Sequence, residues 1–130
     1  MTVVLVPDPV ASLIEAVNRN DVEAFLGFFV EDGEVDDWGR RFRGHAAIRG
    51  WSDREFIGVQ AQLVVHRCTR AGNRINVDVD VTSKGFNGPS PFSFAIAGDR
   101  IRQMRIRSSN VAMSLLLDVK SMLIPPRSGP

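Results

Sequence analysis

The residue with the strongest claim to chemistry is Asp37. It closes an acidic run made of Glu31, Asp32, Glu34, Asp36 and Asp37, and Trp38 follows at once. A carboxylate set in an apolar wall is penalised in its charged form, which makes it a usable proton shuttle. In a solvated turn the same group does nothing, and its acidic neighbours are of the surface type. Arg40, Arg41 and Arg43 come next. One of them beside Asp37 would favour a permanent carboxylate. His66 is a second acid/base candidate, with a satisfied structural histidine as the competing reading. Val64 and Cys68 share its side of the chain, while Leu63 and Val65 take the other, so its neighbours leave its facing open. His45 reads as a residue at a helix N-terminus, where capping accounts for it.

Metal chemistry finds little support. Cys68 is the one cysteine, and His45 and His66 are the two histidines. That set forms no disulfide within the chain and falls short of a structural zinc site. The run from Glu31 to Asp37 fails the calcium-loop spacing and lacks its terminal glutamate. No metal and no cofactor are expected.

These groups must be positioned by local structure. Asp8 and Pro9 start a helix over 9–19, with Val10, Leu13, Ile14 and Val17 on one stripe. Asp21 caps a second helix with Val22, Phe25, Leu26 and Phe29 on its stripe, ended by a turn at Glu31-Asp32-Gly33. Residues 34–42 read as extended or irregular. Gly44 leads into a third helix, about 45–56, with Ile48, Trp51, Ser52, Glu55 and Phe56 along one side. From Gly58 the period changes to two. Strands are expected over 59–70, 74–83, 92–97 and 100–108. In the second of these, Ile75, Val77, Val79 and Val81 alternate strictly with Asn76, Asp78, Asp80 and Thr82, the pattern of an antiparallel strand with one wet face. Residues 84–91, KGFNGPSP, read as a loop. The apolar stretch 110–124 reads as a C-terminal helix stopped by Pro125-Pro126, with 125–130 frayed. Helices first and antiparallel strands afterwards means α+β, with helices on one side of a curved sheet.

The bulk properties narrow the partners. A net charge of +1 removes the electrostatic case for nucleic acid or an anionic membrane. Alternation splits Arg100, Arg102, Arg105 and Arg107 across two faces, and the acidic strand 76–80 is their natural cross-strand partner. No apolar run approaches the ~20 residues of a membrane span. The start, MTVVLVPDP, lacks a basic segment of the secretory kind. A single domain over 1–130 in a cytoplasmic setting is the expectation.

Several pieces in order resemble the nuclear transport factor 2-like superfamily, in its SnoaL-like and ketosteroid-isomerase-like branch. They are 16–25 at the helix-helix join, 28–37 through Glu34-Val35-Asp36-Asp37, Phe42-Arg43-Gly44-His45-Ala46-Ala47-Ile48, and Gly98-Asp99-Arg100-Ile101 with Met104-Arg105. The resemblance covers roughly 10–108. It implies a cone whose concave sheet and helices enclose an apolar cavity, and a homodimer through the outer sheet face. It places Asp37 where ketosteroid-isomerase-like members carry their base. It also implies that Phe25, Trp38, Trp51, Phe56, Phe92 and Met104 shape the site. The isomerase's oxyanion donors have no counterpart, because the chain has no tyrosine, Leu13 stands near the first-helix position and Phe92 near the strand position. Nor is an acidic–arginine–acidic triad of the epoxide-hydrolase kind evident. Two readings follow. One is an enzyme doing cofactor-free acid/base chemistry on a hydrophobic small molecule: cyclisation, isomerisation, dehydration or epoxide opening. The other is a non-catalytic ligand-binding or dimeric interaction module.

Overall fold

The computed structural model describes residues 4–107. The expected helix at 110–124 and the tail after it lie outside the described residues. Helix α1 spans Val10–Asn18, and Val10, Leu13, Ile14, Ala16 and Val17 form its buried stripe. Asp8 Oδ1 accepts the Ser12 N–H at 3.0 Å and holds the first turn. At the other end the Asn18 side chain copies a strand partner. Its Oδ1 accepts from Leu63 N at 2.7 Å and its Nδ2 donates to Leu63 O at 2.9 Å, which pins α1 to the sheet.

Helix α2, Val22–Gly27, is capped by Asp21, whose carboxylate accepts the Ala24 N–H. That bond holds the Asp21 carboxyl below the usual carboxylate range. The helix is shorter than its apolar stripe suggests, because Phe29 already begins strand β1, Phe29–Asp37. Phe25, Leu26 and Phe29 are all buried, so a helix followed by a strand satisfies the same spacing that one longer helix would. The expected turn at Glu31-Asp32-Gly33 is instead a bulged part of β1, where the register against β6 shifts between Phe29 and Glu34. A Cβ on Gly33 would stand 3.0 Å from Val30 O and 3.2 Å from Phe29 Cβ, so a side chain there would crowd the bulge.

Strand β2, Arg40–Arg43, pairs antiparallel with β1, so the segment read as extended or irregular is extended, in a tight hairpin. Helix α3, His45–Glu55, buries Ile48, Trp51 and Ser52. His45 does not cap it; its Nε2 lies 3.1 Å from Phe29 O and 3.2 Å from Val30 O, bridging the helix to β1. A single 3-10 turn, Ile57–Val59, then leads to the meander β3, Gln62–Ala71, β4, Arg74–Thr82, β5, Gly88–Ala97, and β6, Arg100–Ile106. The sheet order is β2-β1-β6-β5-β4-β3. Among the described residues only the β1–β6 pair is parallel.

The expected loop at 84–91 is cut short by β5, which takes in Pro89 and Pro91. Both prolines stand in the ladder with β4, Pro91 opposite Asp78 and Pro89 opposite Asp80, and Pro91 O accepts the Arg107 N–H at 3.2 Å. The inner face carries Ile75, Val77, Val79 and Val81, then Phe92, Phe94 and Ile96, then Ile101 and Met104, all buried. Bulges in β3 at His66 and in β6 at Arg102 bend the sheet around α1, α2 and α3. The result is the curved α+β cone.

The outer face of β1 departs from the surface reading of its acids. Glu34 is 6% exposed and Asp36 1%. Asp36 receives Arg107 on both carboxylate oxygens, at 3.2 and 3.1 Å, and the Gly39 N–H at 2.7 Å. The Arg107 bonds in particular hold the Asp36 carboxyl below the usual range. The β6 arginines therefore meet β1, while Asp78 and Asp80 of β4 meet Arg67 and His66 of β3.

The lowered value of Asp36 fixes a sign. Its stabilisation is complete above the unfolded carboxylate value near ~4 and is lost as pH falls through the lower folded value. Asp36→Asn should therefore cost about 2 kcal/mol at pH 7. The deficit should shrink in denaturant melts below pH ~4, and a deficit that does not change with pH would contradict the assignment.

Candidate active site

The neighbouring aspartates of β1 are separated by the strand period of two. Asp36 turns outward to Arg107, while Asp37 turns inward with Val35 and lines a cavity of about 330 Å³. The walls are apolar: Trp51 and Phe56 on the helical side, Phe92 and Ile106 on the sheet, Val59, Ala61 and Val81 between them. Trp51 and Phe56 stack with centroids 5.0 Å apart, and Phe56 meets Phe92 at 6.2 Å. Trp38 and Phe86 stand at the mouth, 56% and 59% exposed.

Asp37 is half-buried and paired, its side chain 15% exposed. Its Oδ2 accepts from Trp51 Nε1 at 3.0 Å and from the Arg40 guanidinium. Both bonds fall on one oxygen, and Oδ1 takes part in neither. Arg40 also grips Glu55 with two nitrogens, at 2.9 and 2.6 Å. That grip holds the Glu55 carboxyl below its usual range and, with Asp37, keeps the guanidinium protonated more firmly than usual. Asp37–Arg40–Glu55 is thus a carboxylate–guanidinium–carboxylate row, an arrangement the sequence does not announce. Such a row holds one carboxylate oriented at the apolar wall, where it can accept a proton or orient a water molecule.

The expected site residues divide. Asp37, Trp38, Trp51, Phe56 and Phe92 meet at the cavity. Phe25 and Met104 are wholly buried behind it and do not line it. Phe25 packs edge-on against Phe29 at 5.3 Å, supporting the wall from the core side. His66 is elsewhere. It sits where β3 shifts register, its side chain is 56% exposed, and its Nε2 meets Asp80 at 2.7 Å. The bulge turns it to the outer face, away from Asp37. Cys68 is half-buried, and burial pushes its thiol up, which suits a packing residue.

Sequence reasoning missed Glu55, Arg54, Ser90 and Phe86 as lining residues. Glu55 had a signal, since it stands four residues after Trp51 on one helix face. Ser90 and Phe86 had none, lying in a stretch that reads as a loop. Among the described residues no group of histidine, cysteine and carboxylate side chains could hold a metal ion, and no helix is long and apolar enough to cross a membrane.

The family model for SnoaL-like domains matches residues 10–106. No curated protein sequence is significantly similar to the chain. Among solved structures, a candidate polyketide cyclase from Sinorhizobium meliloti aligns with a TM-score of 0.72 at 27% identity, over 78% of this chain and 95% of its own. A protein of ketosteroid-isomerase-like fold from Catenulispora acidiphila, in complex with trimethylamine, aligns at 0.67 and 20% identity, covering 82% and 88%. A computationally designed 17-OHP binder aligns at 0.70 and 14% identity, covering 78% and 88%.

The mouth carries a conformational cost. Trp38 and Gly39 form the two-residue β1–β2 loop with φ of 57° and 90°. Loops of this kind favour Asn-Gly, and a bulky residue at positive φ is disfavoured by about 1 kcal/mol. Trp38→Asn should therefore raise the melting temperature by roughly 2–5 °C while weakening the binding of aromatic ligands. A lower melting temperature would show that packing of the indole outweighs the backbone penalty.

Proposed function

Because the chain belongs to the SnoaL-like domain family, we propose that it is an enzyme doing cofactor-free acid/base chemistry on a hydrophobic small molecule, with Asp37 as the base. One observation carries this reading: Asp37 is the carboxylate of β1 that turns into an apolar cavity of about 330 Å³, large enough for a small ring system. Trp51 and Arg40 orient it through Oδ2. Trp38, Trp51, Phe56 and Phe92 supply the apolar faces against which a ring would lie. The likeness to a candidate polyketide cyclase favours ring closure within that class. The Asp37–Arg40–Glu55 row favours epoxide opening by an oriented water molecule, since a carboxylate fixed at the cavity wall can position that water.

A second reading, a ligand-binding protein without chemistry, draws on the same pairing. Trp51 is 1% exposed, and its indole N–H finds its acceptor in Asp37, so the carboxylate has structural work even with no reaction to perform.

A general probe for a base in an apolar cavity separates the two. In 5-nitrobenzisoxazole, removal of the ring C–H proton breaks the N–O bond and releases a coloured cyanophenolate. The protein should accelerate this opening, and Asp37→Asn should lose roughly 100-fold of the acceleration. The amide oxygen of the variant can still accept from Trp51, so the fold should persist by circular dichroism. Equal rates for the variant and the parent protein would leave the binding reading standing.

A further inference from the structure

The inner cavity has a polarity of hydrogen bonding that its apolar lining conceals. The side-chain donor hydrogens of its polar groups are already engaged within the protein. Trp51 gives its N–H to Asp37 at 3.0 Å. Ser90 gives its hydroxyl hydrogen to Arg107 O at 2.9 Å, and Ser83 gives its own to Phe86 O at 2.7 Å. The Arg107 guanidinium is turned to Asp36 and to Ile106 O. The exceptions are Arg54 on α3 and the indole N–H of Trp38, both on exposed residues. The acceptors are less fully used. Asp37 Oδ1 takes neither of the two bonds made to that carboxylate. A serine oxygen that has given up its hydrogen keeps its lone pairs.

Ser90 is the informative member. It is 4% exposed, lines the cavity and stands on the inner face of β5 in series with Phe92, Phe94 and Ile96. Its partner Arg107 is one residue beyond Ile106, and Ile106 is the register partner of Asp37. Ser90 and Asp37 thus belong to the same end of the sheet.

We infer that this cavity takes its ligand by the ligand's own hydrogen-bond donors, a hydroxyl or N–H on an apolar ring, with Ser90 as a specificity-determining acceptor alongside Asp37. The inference rests on the cavity being the ligand site proposed above, and it adds the chemical class of group that the ligand must present. A carbonyl or ether oxygen brought to the same place would meet lone pairs only, and an unpaired buried acceptor is costly. The donor preference also explains how the site manages without oxyanion donors: it is furnished to receive hydrogen rather than to stabilise a developing negative oxygen.

The test uses 2-naphthol and 2-methoxynaphthalene, which share a ring system and differ in one donor. Binding to the full chain is followed by NMR titration, with the Trp51 indole N–H as the reporter of location. The naphthol should bind at least about tenfold more tightly than the ether. Ser90→Ala should narrow that ratio by about two- to tenfold and leave the affinity for the ether unchanged. Equal affinities for the two probes in the parent protein would overturn the inference while leaving the cavity a ligand site. An unchanged ratio in Ser90→Ala would overturn the role of Ser90. Failure of both probes to bind would overturn the ligand-site reading and this inference with it. The comparison of probes in the parent protein needs no variant, so it decides the matter even if Ser90→Ala does not fold.

Discussion

A buried indole must place its N–H, and much of this structure follows from where Trp51 places it. The ring is packed on Phe56 and near Phe42, with 1% of its surface exposed. Its acceptor is Asp37, so α3 and the β1–β2 hairpin are fixed to each other at the point where the cavity begins. Arg40 extends the tie to Glu55 at the end of the same helix. A carboxylate that already has two donors on one oxygen has few ways to reorient. The bonds that present Asp37 to the cavity are therefore the bonds that hold the helix on the sheet.

The parity of β1 is the second constraint. Val35 and Asp37 share the inner face, and Glu34 and Asp36 the outer one. A slip of one residue would send Asp36 into the cavity and Asp37 to the arginines, since side chains alternate without exception along a regular strand. Register is guarded on both sides. The hairpin loop has only two residues, and Asp36 itself accepts the Gly39 N–H within it. Across the sheet, Arg107 takes Asp36 by both oxygens, and Gln103 donates to Glu34. The outward acids thus serve the inward one by keeping the strand in phase.

Much of this was legible from residue order, and the failures have physical causes. The alternation from Ile75 to Val81 is strict because β4 buries one face and wets the other, and it identifies that face. Asp21 reads correctly as a cap because its chemistry is local. Phe29 misleads because three or four residues of helical spacing and a helix-to-strand break bury the same side chains. Pro89 and Pro91 mislead because proline argues against a strand, yet both stand opposite β4 residues in its ladder. The site divides along the same line. The aromatics Trp38, Trp51, Phe56 and Phe92 could be assigned from type and position, since in a cone the core and the cavity wall are continuous. His66 could not, because a bulge decides its face and a bulge leaves no period to read. The row Asp37–Arg40–Glu55 needs a helix and a hairpin to meet, which is a tertiary fact.

The one parallel pairing also dictates when the site can come into being. Helices α1 to α3 and the hairpin are local in sequence, and β3 to β6 form a meander of neighbours. Asp36 and Arg107 are 71 residues apart, so the ladder that sets the phase of β1 waits for the last strand. On the ribosome, Asp37 and Trp51 leave the exit tunnel long before β6 does. Until then β1 has only β2 beside it, and the inner face of the sheet is incomplete. Long-range closure of this kind is entropically late. The cavity is therefore complete only once β6 has paired with β1, and a nascent chain arrested short of Arg107 would carry most of the lining residues but lack the strand that completes the site.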